Sequence, residues 1–491
     1  DEINNKIVLT LNDASTVDID TSAIGGGGGI DNVTTAEKAA LSPSVGDFVY
    51  DTDLSSLQRY DGNNWVSVAD GYGLIKVVTD SDNGIPKYFT DLQTALDTCK
   101  TGNNIITLYD NITLTSQINI LSSSGFNFNS LTINFNGFQI ENNEVNNSYV
   151  FNIAISSIVE FSEPIIYRRN GTGTHFAIKT LGSIDLKLSG KGYIFCENER
   201  TIWLQGFKQN SFLDGNGVTI ETSSGAYAFL VYGDNTYVSN FNIISGGTRG
   251  SFFQSCSISN INSKHSGSEE AIWAYNSCKM LINSYISSSG KGAEITPSDC
   301  VLDNNRFVST GECVFNSGMI NGGYYESTND HAVRGVDIIN DGYFYSINGL
   351  TADLQGTEIN GGVFKSLNSI PLGLANNGVV SNIVAISIND TCLRGNLATS
   401  PNIQTFVDCK FISKYNSVNG HSVDISLLST GTLNFIDCKF IVANSSANNI
   451  YSSGGESATV SNCSLIGATT PINANITVTA STDLGNGNRQ I

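Results

Sequence analysis

Short apolar runs recur along this chain in one frame: an apolar residue, Asn or Asp two positions later, then an apolar pair closed by Ser or Gly. Three late copies superimpose almost residue for residue. Phe406-Val407-Asp408-Cys409-Lys410-Phe411-Ile412-Ser413 matches Phe435-Ile436-Asp437-Cys438-Lys439-Phe440-Ile441-Val442, and both match Val460-Ser461-Asn462-Cys463-Ser464-Leu465-Ile466-Gly467. The first position of the frame falls at Val238, Ile258, Met280, Leu302, Ile320, Ile339, Ile359, Val380, Phe406, Phe435 and Val460, at intervals of 18 to 29 residues. Weaker copies begin near Leu186 and Leu213.

Intervals of this size mark a solenoid. A leucine-rich repeat would need a fixed Leu-x-x-Leu-x-Leu frame, which is missing. A helical solenoid would need longer repeats with apolar residues at helical spacing. What remains is an all-β, single-stranded parallel β-helix over about 105–475, with coils stacked about 4.8 Å apart. Stacked Asn amides hydrogen-bond along such an axis. Asn and Gly also accept left-handed backbone at corners. Gly322-Gly323, Asp341-Gly342 and Gly361-Gly362 occupy one such corner in three successive coils. Longer intervals after Val380 predict longer loops, and the loops on one face of a solenoid usually carry its binding surface.

The cysteines follow the same frame. Cys256, Cys278 and Cys300 each lie two residues before a repeat start, and Cys409, Cys438 and Cys463 three residues after one. Coil spacing permits a disulfide within such a ladder, but a small buried hydrophobe is the commoner role of free Cys. No CxxC pair or His–Cys spacing suggests zinc, and no metal or cofactor is expected.

Ahead of the solenoid lie several smaller units. Residues 1–30 read as two strands, Lys6 to Leu11 and Thr16 to Asp20, and a flexible five-glycine joint, Gly25 to Gly29. Residues 31–70 read as a small β-meander with a tight turn at Asp61-Gly62. Residues 71–104 form a connector with a helix over 88–102. In it Thr90 and Gln93 make a capping box, and Leu92, Ala95, Leu96 and Cys99 form one apolar stripe. Gly102 is the C-cap candidate. Residues 476–491 are a C-terminal tail.

Two stretches resemble known families. Thr34-x-x-Glu37-x-x-Ala40-Leu41-x-Pro43-x-x-Gly46, leading to Tyr60-Asp61-Gly62-x-x-Trp65-Val66, resembles a module recurring in bacteriophage tail fibres. The short helix followed by a first strand pair resembles the start of tailspike and pectate-lyase-like β-helices. That resemblance implies a right-handed β-helix with the helix covering the open end of its core, as solenoid ends require. It also implies a homotrimer in a virion tail outside the cell, attached to other tail proteins at its N-terminal end. Its implied partner is bacterial surface polysaccharide or lipopolysaccharide.

Several acids share a phase of the repeat. Aligned on Ile272, Ile295, Val314 and Val333, the residues Glu269, Glu270, Glu294, Glu312, Asp330 and His331 fall within about one position over four coils. Trp273, Phe315, Lys291 and Arg334 share the region. An aromatic beside acids offers a sugar a stacking face and a proton donor. Glu270 and Glu312, then Glu294, are the candidate acid and base. Trp273, Phe315, His331, Arg334 and Lys291 are candidate substrate-binding residues. Carboxyl groups about 5–5.5 Å apart suit a retaining mechanism, and about 6.5–9.5 Å an inverting one. The plain alternative is a solvated polar turn before a strand. His175, His265 and His421 are isolated, and such histidines are more often structural.

Composition narrows the classes. The chain has 491 residues and a net charge of −20, which argues against nucleic acid and makes an anionic polymer less natural unless a local patch reverses the field. Only 14% of residues are charged, but 40% are hydrophobic, which favours many short strands over disorder. No apolar run approaches the roughly 18 residues of a membrane span, so membrane insertion is not expected. The first residue is Asp1, which suggests a processed or truncated chain. Three readings stay open: a receptor-binding fibre, a polysaccharide depolymerase acting as a glycoside hydrolase, and a bacterial adhesin or structural appendage.

Overall fold

A computed structural model describes residues 6–10, 16–20, 31–44, 47–52, 56–60, 62–67, 75–82, 84, 86–144, 149–169, 175–198, 200–205, 212–316, 318–354, 358–374, 378–395, 402–426, 431–453, 457–472, 477–478, 482–485 and 488–490. The chain winds into a parallel β-solenoid. One side is an 18-stranded sheet, of which sixteen strands stack in parallel from Ile112–Leu114 to Ser464–Ile466. A 26-stranded sheet forms a second side. A six-stranded sheet forms the third side in the first coils. From Phe212–Asp214 onward, the long sheet takes up a second strand per coil.

The register follows the repeat frame. Leu213, Val238 and Ile258 pair in sequence, as do Leu302, Ile320, Ile339, Ile359, Val380, Phe406, Phe435 and Val460. One coil departs from it. Ile258 pairs with Leu281, not Met280. Leu281 is buried and Met280 is 37% exposed. A one-residue slip turns a side chain to the other face, so the core selects Leu281.

The corners explain the Asn. A residue with positive φ recurs once per coil: Asn136 (51°), Asn216 (48°), Asn240 (60°), Asn260 (53°), Asn283 (50°), Asn304 (50°), Asn382 (56°), Asp408 (52°), Asp437 (58°) and Asn462 (53°). Their amides stack: Asn260 donates to Asn240 at 3.2 Å and Asn304 to Asn283 at 2.8 Å. In three coils the wide turn extends one residue further, with φ of 109° at Gly323, which pairs with Asn305, 144° at Gly342 and 112° at Gly362, which pairs with Ile383. That exceeds the left-handed helical value of about 57° that Asn adopts. A Cβ on Gly323 would also lie 2.3 Å from the Asn305 carbonyl, so only glycine fits.

Inside the coil, Phe307, Tyr325, Phe344 and Phe364 stack with centroids 5.4, 5.0 and 4.7 Å apart. Each such ring contributes about 1.5–3 kcal/mol by burial. All ten cysteines are buried and none is in a disulfide. Within the later ladder, Cys438 N donates to Cys463 Sγ at 3.2 Å. Cys256 stands apart from its ladder, pairs with Thr236 and donates to the Gln254 carbonyl at 3.1 Å.

The helix ahead of the coils is shorter than the sequence suggests, Leu92–Asp97. Asp91, not Thr90, is its N-cap, accepting from Thr94 N at 2.7 Å. The Gln93 side chain instead bonds the backbone of Asn119. Leu92, Ala95, Leu96 and Cys99 join the solenoid core, so the helix closes its first coil. Gly102 has φ of 73° but already lies in strand Thr101–Leu108. The strand Ile75–Thr79 pairs antiparallel with Thr101–Leu108, making the connector part of the first coil. Upstream, Lys6–Thr10 pairs with Thr16–Asp20. Phe48–Asp51, Ser56–Tyr60 and Trp65–Ser67 form a meander. Thr34 and Glu37 form a capping box on a helix, Thr35–Ala39, that the sequence reading passed over. The five-glycine joint lies outside the described residues. At the far end, Thr482–Gly485 and Asn488–Gln490 add antiparallel to the long stack. Among the described residues no helix is long and apolar enough to cross a membrane.

Candidate functional site

The candidate acids lie on the outer face of the 26-stranded sheet. Glu270–Tyr275, Lys291–Ile295, Val314–Phe315 and Val333–Arg334 are neighbouring strands in successive coils. Glu270 pairs with Lys291. Gly292 N donates to the Glu312 carbonyl and Cys313 N to the His331 carbonyl. One column therefore runs Glu270, Lys291, Glu312, His331. Glu294 lies outside it, opposite Trp273 and Phe315. The alignment on Ile295 was two residues out, because Ile295 pairs with Ala274. A two-residue slip keeps every side chain on its face, so hydrophobic alternation cannot detect it.

Lys291 thus separates the acids. Glu270 and Glu312 sit two coils apart, roughly 9.6 Å along the stack, at the wide end of the inverting range. The one-coil spacing of a retaining pair is not formed between them. Nor are they solvated turn residues: Glu270 is 1% exposed and Glu312 3%. Cations cover both. Arg249 Nε lies 2.8 Å from Glu270 Oε1, close enough to pair but off the line of a hydrogen bond. Arg334 donates to Glu312 at 2.6 Å, and Lys291 lies 3.8 Å from its other oxygen. Burial holds the Glu270 carboxyl above the usual carboxylate range. Its own backbone N–H and Arg249 oppose that shift, while Glu294 and Glu269 reinforce it.

Glu312, Asp330 and His331 bring possible ligand atoms within 4.8 Å of one another. Asp330 sits 2.5 Å from His331 Nδ1. Arg334 and Lys291 already balance Glu312, which disfavours a cation there. His175, His265 and His421 are buried, at 5, 2 and 6% exposure, and none joins the acid column.

The other candidates gather round the acids. Arg249 lies 4.7 Å over the Trp273 ring and Lys291 4.4 Å over Phe315. Trp273 in turn belongs to an aromatic platform that the repeat frame does not mark. Phe252 meets Trp273 at 5.2 Å, Tyr232 at 5.2 Å and Tyr275 at 5.9 Å. The platform forms its own hydrophobic cluster outside the coil, with Tyr227, Leu230 and Trp203. The register Trp203, Leu230, Phe252, Trp273 places large side chains outward in four successive coils. That signal was legible: large residues at positions between inward-facing ones. A separate cleft of about 480 Å³, lined by residues including Asn127, Ser157 and Asp185, belongs to early coils and contains none of these residues. In the long intervals after Val380, expected to carry the binding loops, residues 396–401, 427–430 and 454–456 lie outside the described residues, and the described remainder contributes none of these side chains.

Comparison with protein-family models, with curated proteins and with solved structures returned no match.

Proposed function

We propose that this chain recognises a bacterial surface glycan, polysaccharide or lipopolysaccharide, as the receptor-binding part of an extracellular fibre of the tail-fibre or tailspike kind. The observation that carries this reading is the outward aromatic platform of Trp203, Phe252, Trp273 and Tyr275. Sugar rings stack their C–H faces on such rings. Cations and carboxylates beside the platform supply the polar groups that orient a ligand. A homotrimer, docked to other tail proteins through residues 1–66, is the assembly this reading requires. The module at Thr34–Trp65 supports it by resemblance alone, and a bacterial adhesin would use the same platform.

A second reading, an inverting glycan hydrolase, is favoured by one feature: Glu270 holds its proton more firmly than an ordinary carboxyl, as a general acid must. Glu312 would then be the base across the two-coil gap. One experiment tests both. Wild type, Trp273→Ala and Glu270→Gln are incubated with purified capsule and O-antigen polysaccharides, reading binding by biolayer interferometry and cleavage by new reducing ends. Trp273→Ala is expected to weaken binding at least about tenfold. Reducing ends that appear with wild type and vanish with Glu270→Gln would establish the hydrolase. Undiminished binding by Trp273→Ala would sink the platform.

A further inference from the structure

The platform continues for two coils before Trp203, and its chemistry changes there. Lys179 pairs in register with Trp203, and Phe176 with Arg200. Lys179 Nζ lies between two rings, 4.9 Å from Tyr149 and 4.8 Å from Trp203, and donates to the Tyr149 hydroxyl at 3.0 Å. The Arg200 guanidinium lies 5.8 to 6.0 Å from the rings of Phe176, Trp203 and Tyr227. Phe176 is buried, but by this outer layer: it belongs to neither the coil core nor the platform cluster, and meets Tyr149 at 5.7 Å and Trp203 at 5.0 Å.

Among the described residues, neither Lys179 nor Arg200 has a carboxylate within ion-pair distance. That is unlike Arg249, Lys291 and Arg334 further along the face. In a chain of net charge −20, this patch reverses the local sign. The unsatisfied groups along this face are three donors and two acceptors, Asn152 Oδ1 beside Lys179 and Glu270 Oε1 beside Trp273. Arg200 Nε and Trp203 Nε1 are covered from solvent with no acceptor in the described protein, and so is Trp273 Nε1. All three are donors. Covered donors are costly to leave unpaired, so this surface suits a ligand rich in acceptor oxygens. Rings alone would take any sugar. Two fixed cations, each among rings, select one bearing negative charge.

We infer that Lys179 and Arg200, framed by Tyr149, Phe176 and Trp203, form a subsite for an anionic substituent of the bound glycan. A uronate or pyruvate carboxylate and a phosphate group share the required chemistry. The inference deepens the glycan-binding reading and rests on it. The subsite lies three coil steps from Trp273 at Arg200 and four at Lys179, roughly 14 to 19 Å. It therefore anchors a part of the chain distinct from the sugar beside Glu270.

The test uses the full chain and an array of purified bacterial capsule and O-antigen polysaccharides, neutral and acidic. Acidic members are printed in native, carboxyl-reduced and dephosphorylated forms. Wild type and the double variant Lys179→Gln/Arg200→Gln are compared, with circular dichroism to verify the fold. Wild type is expected to prefer an acidic glycan. One of the two chemical treatments should weaken its binding about ten- to a hundredfold, the range for hydrogen bonds to charged groups, and thereby name the substituent. The double variant should lose the same factor on the native glycan and nothing further on the treated one. Equal binding of the native glycan by variant and wild type overturns the subsite. So does capture of neutral glycans alone, or a variant whose only change is in oligomeric state, which would make this face a contact between copies. If wild type captures no glycan, the underlying reading fails, a result none of the other outcomes resembles.

Discussion

The outer face of the long sheet holds two stretches built from the same residue types. Downstream, at Arg249, Lys291 and Arg334, each cation lies over a ring, beside a carboxylate, or both, and the carboxylates are Glu270 and Glu312. Upstream, at Lys179 and Arg200, the cations lie among rings with no carboxylate of the described residues in ion-pair range. The first stretch is internally neutralised. The second keeps its charge available. The difference shows that aromatic content does not by itself specify a ligand. What the neighbouring coil places opposite each cation decides whether its charge is spent within the fold or offered to solvent.

Substitutions can break this contrast. Arg249→Ala has the largest expected effect, since it removes the counter-charge from buried Glu270. The Glu270 carboxyl is already raised by burial. A group raised in the folded state contributes its full stability below its unfolded value, and that contribution is lost as pH rises through the folded one. The variant is thus expected to be about 2 kcal/mol less stable at neutral pH, with the deficit shrinking as pH falls through the raised folded value of Glu270 and gone below about pH 4. Urea unfolding at both pH values measures it, and an equal loss at both would assign Arg249's role to its ring contacts.

Arg334→Ala should cost less, about 1 kcal/mol. Its side chain is 50% exposed and Lys291 remains beside Glu312. A loss as large as that of Arg249→Ala would mean that Lys291 at 3.8 Å contributes little. Arg200→Ala should cost least in stability, below about 1 kcal/mol, and the cost should be flat with pH because no carboxylate of the described residues is stranded. A pH-dependent loss at Arg200 would erase the distinction between the two stretches.

Much of the fold was legible because one repeat frame reports several constraints at once. In the coils without a glycine corner, the Asn or Asp near the start marks the left-handed corner, and Asn260 and Asn304 bond the coil before theirs through it. The errors came where the frame has no such marker. At Met280 and Leu281 two adjacent apolar residues compete for one inward position, and only packing chooses. At Ile295 a slip of two residues preserved the alternation and misplaced Glu294. Asp91 displaced Thr90 as the cap because the helix starts one residue later than the capping-box spacing implied. The missed helix at Thr35–Ala39 carried its own signal, the Thr34–Glu37 box.

The site was less legible than the fold, and for a physical reason. Glu270 and Glu312 look like turn residues in sequence, but their burial comes from Arg249, Lys291 and Arg334, which reach them from other coils. By itself the sequence determined the repeat, its corners, the inward residues and the all-β solenoid, because each depends on local backbone preference and on alternation within a few residues. The tertiary structure alone decided which acids share a column, which cations are neutralised and which rings meet outside the coil. Those relations join residues about twenty positions apart, and the exact stagger between coils, which no single repeat encodes, sets them.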